Sequence, residues 1–186
     1  MAAFTPMMQQ YLDIKNQYKD CIMFYRVGDF YEMFFDDALT ASKALEITLT
    51  GKDCGQEERA PMCGVPYHAY EVYANRLIEQ GYKVAICEQV EDPKQAKGLV
   101  KRDVIQIITP GTNLSTQNLK EGQNNYIMSI YAFDNAYGIA VADITTGEAR
   151  TCQVTSQEKC KDEINKYQPS EIICNETLLC QDWDWD

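Results

Sequence analysis

Residues 24–38, FYRVGDFYEMFFDDA, leave the backbone few choices. Two runs of aromatic and β-branched residues, CIMFYRV and FYEMFF, meet at Gly28-Asp29. Such runs prefer extended backbone, and a Gly-Asp pair prefers a turn, so the runs pair as a hairpin or a bent strand. Side chains alternate along a strand, which puts Phe30 and Glu32 on one face, about 6.6 Å apart, and Tyr31 and Met33 on the other. If the first face were core, Glu32 would be a buried charge; if it were plain solvent, Phe30 would be an exposed ring beside a tight turn. A binding surface accounts for both, because a ring at a protruding turn can wedge into a base stack. Aromatic hairpins are also ordinary core, and the residues alone leave that alternative open.

The chain of 186 residues is long enough for one domain with a sizeable core, or for one domain and part of a second. No apolar run approaches the roughly 18 to 20 residues of a membrane span, and the start MAAFTPMMQQ lacks the basic and apolar regions of a signal peptide. A cytoplasmic address and no membrane partner are expected. Eight cysteines include no C-x-x-C pair, and His68 is the sole histidine, so no zinc site is expected. Most of the cysteines sit in apolar runs such as VAICEQV, where a free thiol acts as a small buried hydrophobe.

The net charge of −11 argues against nucleic acid, but the charge is unevenly spread, which weakens that exclusion. Residues 1–113 carry 12 Lys+Arg against 16 Asp+Glu, whereas residues 114–186 carry 5 against 12. One stretch, KQAKGLVKR at 94–102, is basic without an acid. Its four cations read either as phosphate contacts, which would make binding salt-dependent, or as a solvated loop beside a sheet edge.

Along the chain, Thr5 as N-cap and Pro6 at the first position open a helix over about 6–18, and Asp36 caps a second through DDALTASKALEI. TLTGKDCGQEERAPMCGVP lacks periodicity and reads as a long surface connection. YHAYEVYANRLIEQG is a helix with Gly81 at its C-cap, and KVAICEQV and LVKRDVIQIITPGT are strands. This is a compact mixed α/β domain ending near Thr112. After the turn-prone NLSTQNLKEGQNN, three strands form a meander, Thr155 and Glu158 form a capping box, and SEIIC is a further strand. About 65 residues are too few to cover the sheet of this second domain on both faces.

TPMMQQYLDIK, FYRVGDFYEMFFDDA, PMCGVPYHA, GYKVAICEQVEDP and ITPGT, in this order and spacing, resemble the N-terminal mismatch-recognition domain of the bacterial MutS family of DNA mismatch repair proteins. The resemblance covers residues 5–112 closely. From about residue 125 the chain is similar to the start of that family's connector domain. It implies a mixed-sheet α/β mismatch-recognition domain (1–113), a linker (114–124) and an incomplete ribonuclease H-like connector domain (125–186), as the N-terminal part of a much larger protein.

By that resemblance, Phe30 stacks on a mispaired or unpaired base from the minor groove and Glu32 hydrogen-bonds the base, while the DNA bends. Glu32 would accept from an imino or amino group, or carry a proton and donate it. Val65–Ala69 would approach the DNA near the wedge, with Pro66 and Tyr67 shaping the loop. His68 either donates to the DNA or caps a helix. Gly28 and Asp29 at the turn, and Lys52, Lys97, Lys101 and Arg102 as phosphate contacts, with Arg102 foremost, complete the DNA-proximal set.

The implied partners are double-stranded DNA with mismatches or small loops, a second copy in a homodimer, and other repair proteins through the connector. A bacterial cytoplasmic protein, associated with the nucleoid when bound, is the implied setting. The sequence contains no G-x-x-x-x-G-K-[ST] loop, so ATP and magnesium would belong to the full-length protein; no catalytic residue and no cofactor are expected in this chain. Two other readings remain: a metal-dependent nuclease, with Asp143 and Glu148 holding magnesium, and a protein-interaction module using the acidic second part.

Overall fold

The computed structural model describes residues 3–91, 98–113, 124–181 and 183. The chain divides into two compact units, Met1–Thr109 and Pro110–Asp186. Lys94 and Lys97 of the basic stretch, and residues 114–123 of the expected linker, lie outside the described residues.

The first unit is a six-stranded mixed sheet flanked by helices. Helix α1 (Pro6–Lys15) starts as its sequence requires: Pro6 occupies the first turn and the Thr5 hydroxyl accepts from the Met8 N–H. Strands β1 (Cys21–Val27) and β2 (Phe30–Phe34) form the hairpin, with Val27 opposite Phe30. Gly28 takes a φ of 57°, the sign that the first position of a primed hairpin turn needs and that glycine adopts without strain.

Helix α2 (Phe35–Leu45) follows at once. Its start differs from expectation: the cap position is Phe34, no side chain caps the helix, and Phe35 turns the chain at a φ of 52°. Asp36 lies inside the first turn, where its charge complements the helix dipole.

The stretch expected to be a surface connection is a second correction. It holds β3 (Thr50–Lys52) and β4 (Ala60–Pro66), and β4 pairs along the whole of β2. The sequence pattern is masked there because β4 has a core on both faces, Cys63 and Val65 on one and Ala60 on the other, so its residues show no polar alternation. A 3₁₀ turn (Tyr67–Ala69) leads into α3 (Tyr70–Ile78), and Gly81 at a φ of 85° closes that helix. Strands β5 (Lys83–Gln89) and β6 (Arg102–Ile108) complete the order β3-β4-β2-β1-β5-β6, in which only β1 and β5 run parallel.

Both sheet faces are packed. Phe24, Tyr31, Met33, Leu45, Leu77 and Ile86 form the core beneath α2 and α3; Met8, Tyr11, Met23, Tyr25, Phe34 and Cys87 form the core beneath α1. Asp37 of α2 is buried against Tyr11, accepts from the Met23 N–H at 3.0 Å and pairs with Lys15 at 2.9 Å.

The second unit has strands β7 (Tyr126–Phe133), β8 (Ala136–Asp143), β9 (Glu148–Val154) and β10 (Glu171–Cys174) in the order β10-β7-β8-β9. The meander is antiparallel and β10 joins β7 in parallel after α4 (Gln157–Tyr167), as the β-β-β-α-β reading requires. The cap of α4 is Ser156, whose hydroxyl accepts from the Lys159 N–H, one residue beyond the expected Thr155. A short helix α5 (Glu176–Leu179), which the sequence pattern does not announce, follows β10.

Met128, Ile130, Ile139 and Val141 face Cys160, Leu178 and Trp183 in the core of this unit. On the opposite face Tyr131 and Phe133 are 61% and 65% exposed. This is the one-sided cover expected from the length. Among the described residues no helix is long and apolar enough to cross a membrane.

Candidate nucleic-acid interface

The face of β2 that carries Phe30 and Glu32 is neither wholly core nor wholly surface. Phe34, Glu32 and Phe30 follow one another along it: Phe34 is fully buried, Glu32 is intermediate, and Phe30 is 48% exposed. The same row therefore begins in the α1 core and runs out of it at the hairpin turn. Tyr31 and Met33 point the other way and are buried, as strand alternation requires.

Glu32 is held by the Lys52 ammonium, which contacts its Oε2. Gly64 of β4 lies opposite Glu32. A Cβ at position 64 would sit 3.3 Å from the Tyr31 carbonyl oxygen, so glycine keeps the strand backbone uncrowded, and 3.6 Å from Glu32 Cγ, an ordinary contact.

The turn is braced from behind. The Tyr67 N–H donates to the Asp29 carbonyl at 3.0 Å, which ties the β1–β2 turn to the 3₁₀ segment. Arg26 donates from Nε to the Gly28 carbonyl at 2.6 Å, lays its guanidinium 3.8 Å over the Tyr67 ring and pairs with Glu88 at 3.3 Å. Tyr31 donates its hydroxyl to the same Glu88 oxygen at 2.7 Å. Burial first, and the Glu88 carboxylate second, hold the Tyr31 phenol well above its ordinary value, so it stays a donor.

The expected DNA-proximal residues divide accordingly. Gly28, Asp29, Phe30, Pro66, Tyr67 and His68 meet at one end of the sheet, with Pro66 directly opposite Phe30. Lys52 joins them through Glu32. Lys101 is exposed just before β6, at the same end of the sheet because β1 and β5 run parallel and β5 pairs with the start of β6 there. His68 is exposed against the Tyr67 ring and does not cap α3, whose cap position is Ala69. Lys97 lies outside the described residues.

Arg102 is a correction. Expected foremost among the phosphate contacts, it is 8% exposed, donates to the Arg26 carbonyl at 2.7 Å, to Gln10 and to the Val100 carbonyl, and packs 4.9 Å from the Tyr25 ring. It joins β6 to β1 and α1 from the inside. Sequence reasoning missed Arg26, Glu88 and Gly64; the single cation in the apolar run CIMFYRV was the available signal.

The nuclease reading loses its geometry as well. Asp143 and Glu148 face each other across β8 and β9, but Asp143 accepts from the Thr145 hydroxyl and N–H and from the Asn125 N–H, while Glu148 takes Tyr126 and Arg150. Among the described residues no group of three or more His, Cys, Asp or Glu is placed to hold a metal ion.

Residues 5–117 match MutS domain I and residues 125–183 match MutS domain II. The chain is 68% identical to the DNA mismatch repair protein MutS of Lachnoclostridium phytofermentans, over 94% of this chain and 19% of that protein. It is 64% identical to the MutS of Acetivibrio thermocellus, over 94% and 20%, and 62% identical to that of Ruminiclostridium cellulolyticum, over 96% and 21%. The chain thus spans about one fifth of the length of these curated relatives. With both domain models matched in order over most of its length, the chain belongs to the MutS family.

Proposed function

We propose that this chain supplies the mismatch-reading part of a DNA mismatch repair protein, with Phe30 as the wedge and Glu32 as the base contact. The observation that carries the reading is the row Phe34, Glu32, Phe30, which leads from a fully buried ring to a half-exposed one at a braced turn. Inserting a ring into a base step costs a few kcal/mol of unstacking. A mispaired step is already poorly stacked and bends more easily, so the cost falls where the pairing is wrong. Discrimination then rests on deformability more than on sequence.

The brace matters because a wedge must hold its position under load. Arg26, Tyr67 and the Asp29 carbonyl fix the turn without using Phe30 itself. Phosphate contacts fall to exposed cations such as Lys101, and with a net charge of −11 the chain alone should bind DNA weakly. Dimerisation and ATP-driven clamp action would reside in the remainder of the longer protein.

A protein-interaction role for the second unit is compatible with this reading, and the exposed Tyr131 and Phe133 favour it. The test of the main reading uses the full-length protein on otherwise identical duplexes, one with a single mispair and one fully paired. Tighter binding to the mispaired duplex is expected; equal affinities would remove the reading.

A further inference from the structure

Lys52 is the last residue of an edge strand, paired with Ala60, yet its ammonium is directed back over the sheet to Glu32 and lies 5.7 Å from the ring of buried Phe34. Only Oε2 of Glu32 is engaged; Oε1 has no hydrogen-bond partner among the described residues. We propose that Lys52 is the positioning residue for Glu32: it fixes one carboxylate oxygen and leaves the other for the base, and so sets how sharply mispairs are distinguished. The inference rests on the reading of Glu32 as the base contact.

The chemistry separates this role from a phosphate contact. An ionised carboxylate only accepts, and its two oxygens can serve two donors, here the ammonium and an imino or amino group of a base. A glutamate without Lys52 would have to give up its side-chain rotamer freedom on meeting the base, whereas the pair is ordered beforehand. An ammonium already neutralised by Glu32 contributes little counterion release, so it adds little to general DNA affinity. Gly64 lies beside the same arrangement, since a Cβ there would come within 3.3 Å of the Tyr31 carbonyl and into ordinary contact with Glu32 Cγ.

The experiment measures binding of the full-length protein to a duplex with a single G·T mispair and to its fully paired counterpart over a salt series. Wild type, Lys52→Met and Lys52→Arg are compared, each with Glu32 intact and with Glu32→Ala. The expected result is a fall of about fivefold in the mispaired-to-paired affinity ratio for Lys52→Met, of the order expected for misplacing one charge-assisted hydrogen bond. Paired-duplex affinity and its salt slope should not change, and Lys52→Arg should restore most of the ratio. In the Glu32→Ala background, Lys52→Met should have no further effect.

A uniform loss on both duplexes with the salt slope reduced by about one would make Lys52 a phosphate contact and overturn the inference. An unchanged ratio in Lys52→Met, or an effect that persists without Glu32, would overturn it equally. If Glu32→Ala itself leaves the ratio intact, the base-contact reading fails and this inference with it. If Glu32→Ala lowers the ratio and Lys52→Met does not, only the inference fails.

Discussion

The Arg26 guanidinium lies 3.8 Å from the centre of the Tyr67 ring, and this contact joins the strand that ends at the hairpin turn to the segment that follows β4. The two segments are 41 residues apart in the chain, and Tyr67 also donates its N–H to Asp29 inside the turn. The position of Phe30 is therefore set by a contact between strand ends rather than by the hairpin alone. An isolated two-stranded hairpin would be marginal in water, and the surrounding sheet supplies the rest.

Removing this brace should loosen the turn without unfolding the unit. Partly buried cation–π contacts contribute about 1–2 kcal/mol, and a partly exposed ion pair less than about 1 kcal/mol. Arg26→Met should thus destabilise the first unit by about 1–2 kcal/mol in chemical denaturation and reduce discrimination between mispaired and paired DNA. Arg26→Lys keeps the charge but loses the planar stack, and an intermediate effect is expected. Unchanged stability together with unchanged discrimination would show that the brace is idle.

Much of the fold is legible in the sequence, and the exceptions share a cause. The β1–β2 hairpin, α1 with its Thr5 cap and the β-β-β-α-β order of the second unit all carry local signals in turn residues, caps or alternation. Strand β4 does not, because a strand buried on both faces loses its polar alternation and its Pro61, Gly64 and Pro66 read as loop residues. The site shows the same division. Alternation puts Phe30 and Glu32 on one face, but whether that face is core changes along its length, and only tertiary packing sets where the change occurs. Arg102 misleads for a related reason: a charge beside a basic loop reads as solvent-facing until Gln10, Tyr25 and the Arg26 carbonyl are seen to enclose it.

Thiol reactivity should follow burial, with Cys160 of the second unit as protected as the cysteines of the first. Burial pushes the thiols of Cys21 and Cys63 up to about 11 and that of Cys87 to about 12, and Cys54 is buried with them. In the second unit Cys152 and Cys180 are exposed. Alkylation of the native protein at pH 8, read by peptide mass spectrometry, should modify Cys152 and Cys180 well before any of the first four. Modification of Cys63 or Cys87 at a similar rate would mean that the sheet core opens readily.

The second unit should lose stability in acid through Asp143. Burial acts to raise its carboxyl, but hydrogen bonds from the Thr145 hydroxyl and N–H and from Asn125 outweigh it and hold the group below its ordinary value. An unfolded aspartate titrates near about 3.9, so the stabilisation is present above that value and is lost as pH falls through the lower folded one. Asp143→Asn should be less stable than wild type at pH 7, and the difference should shrink below about pH 4. A difference that is the same at pH 3 and pH 7 would exclude this linkage.

The central claim is that Phe30 leaves the core in order to enter DNA. Its most direct test is the ratio of affinities for a singly mispaired and a fully paired duplex, measured for the full-length protein and its Phe30→Ala variant under one salt condition. Phe30 is 48% exposed, so its truncation should leave the fold intact while the ratio falls by at least about tenfold, the equivalent of about 1.4 kcal/mol. A variant that folds normally and retains the wild-type ratio would contradict the account.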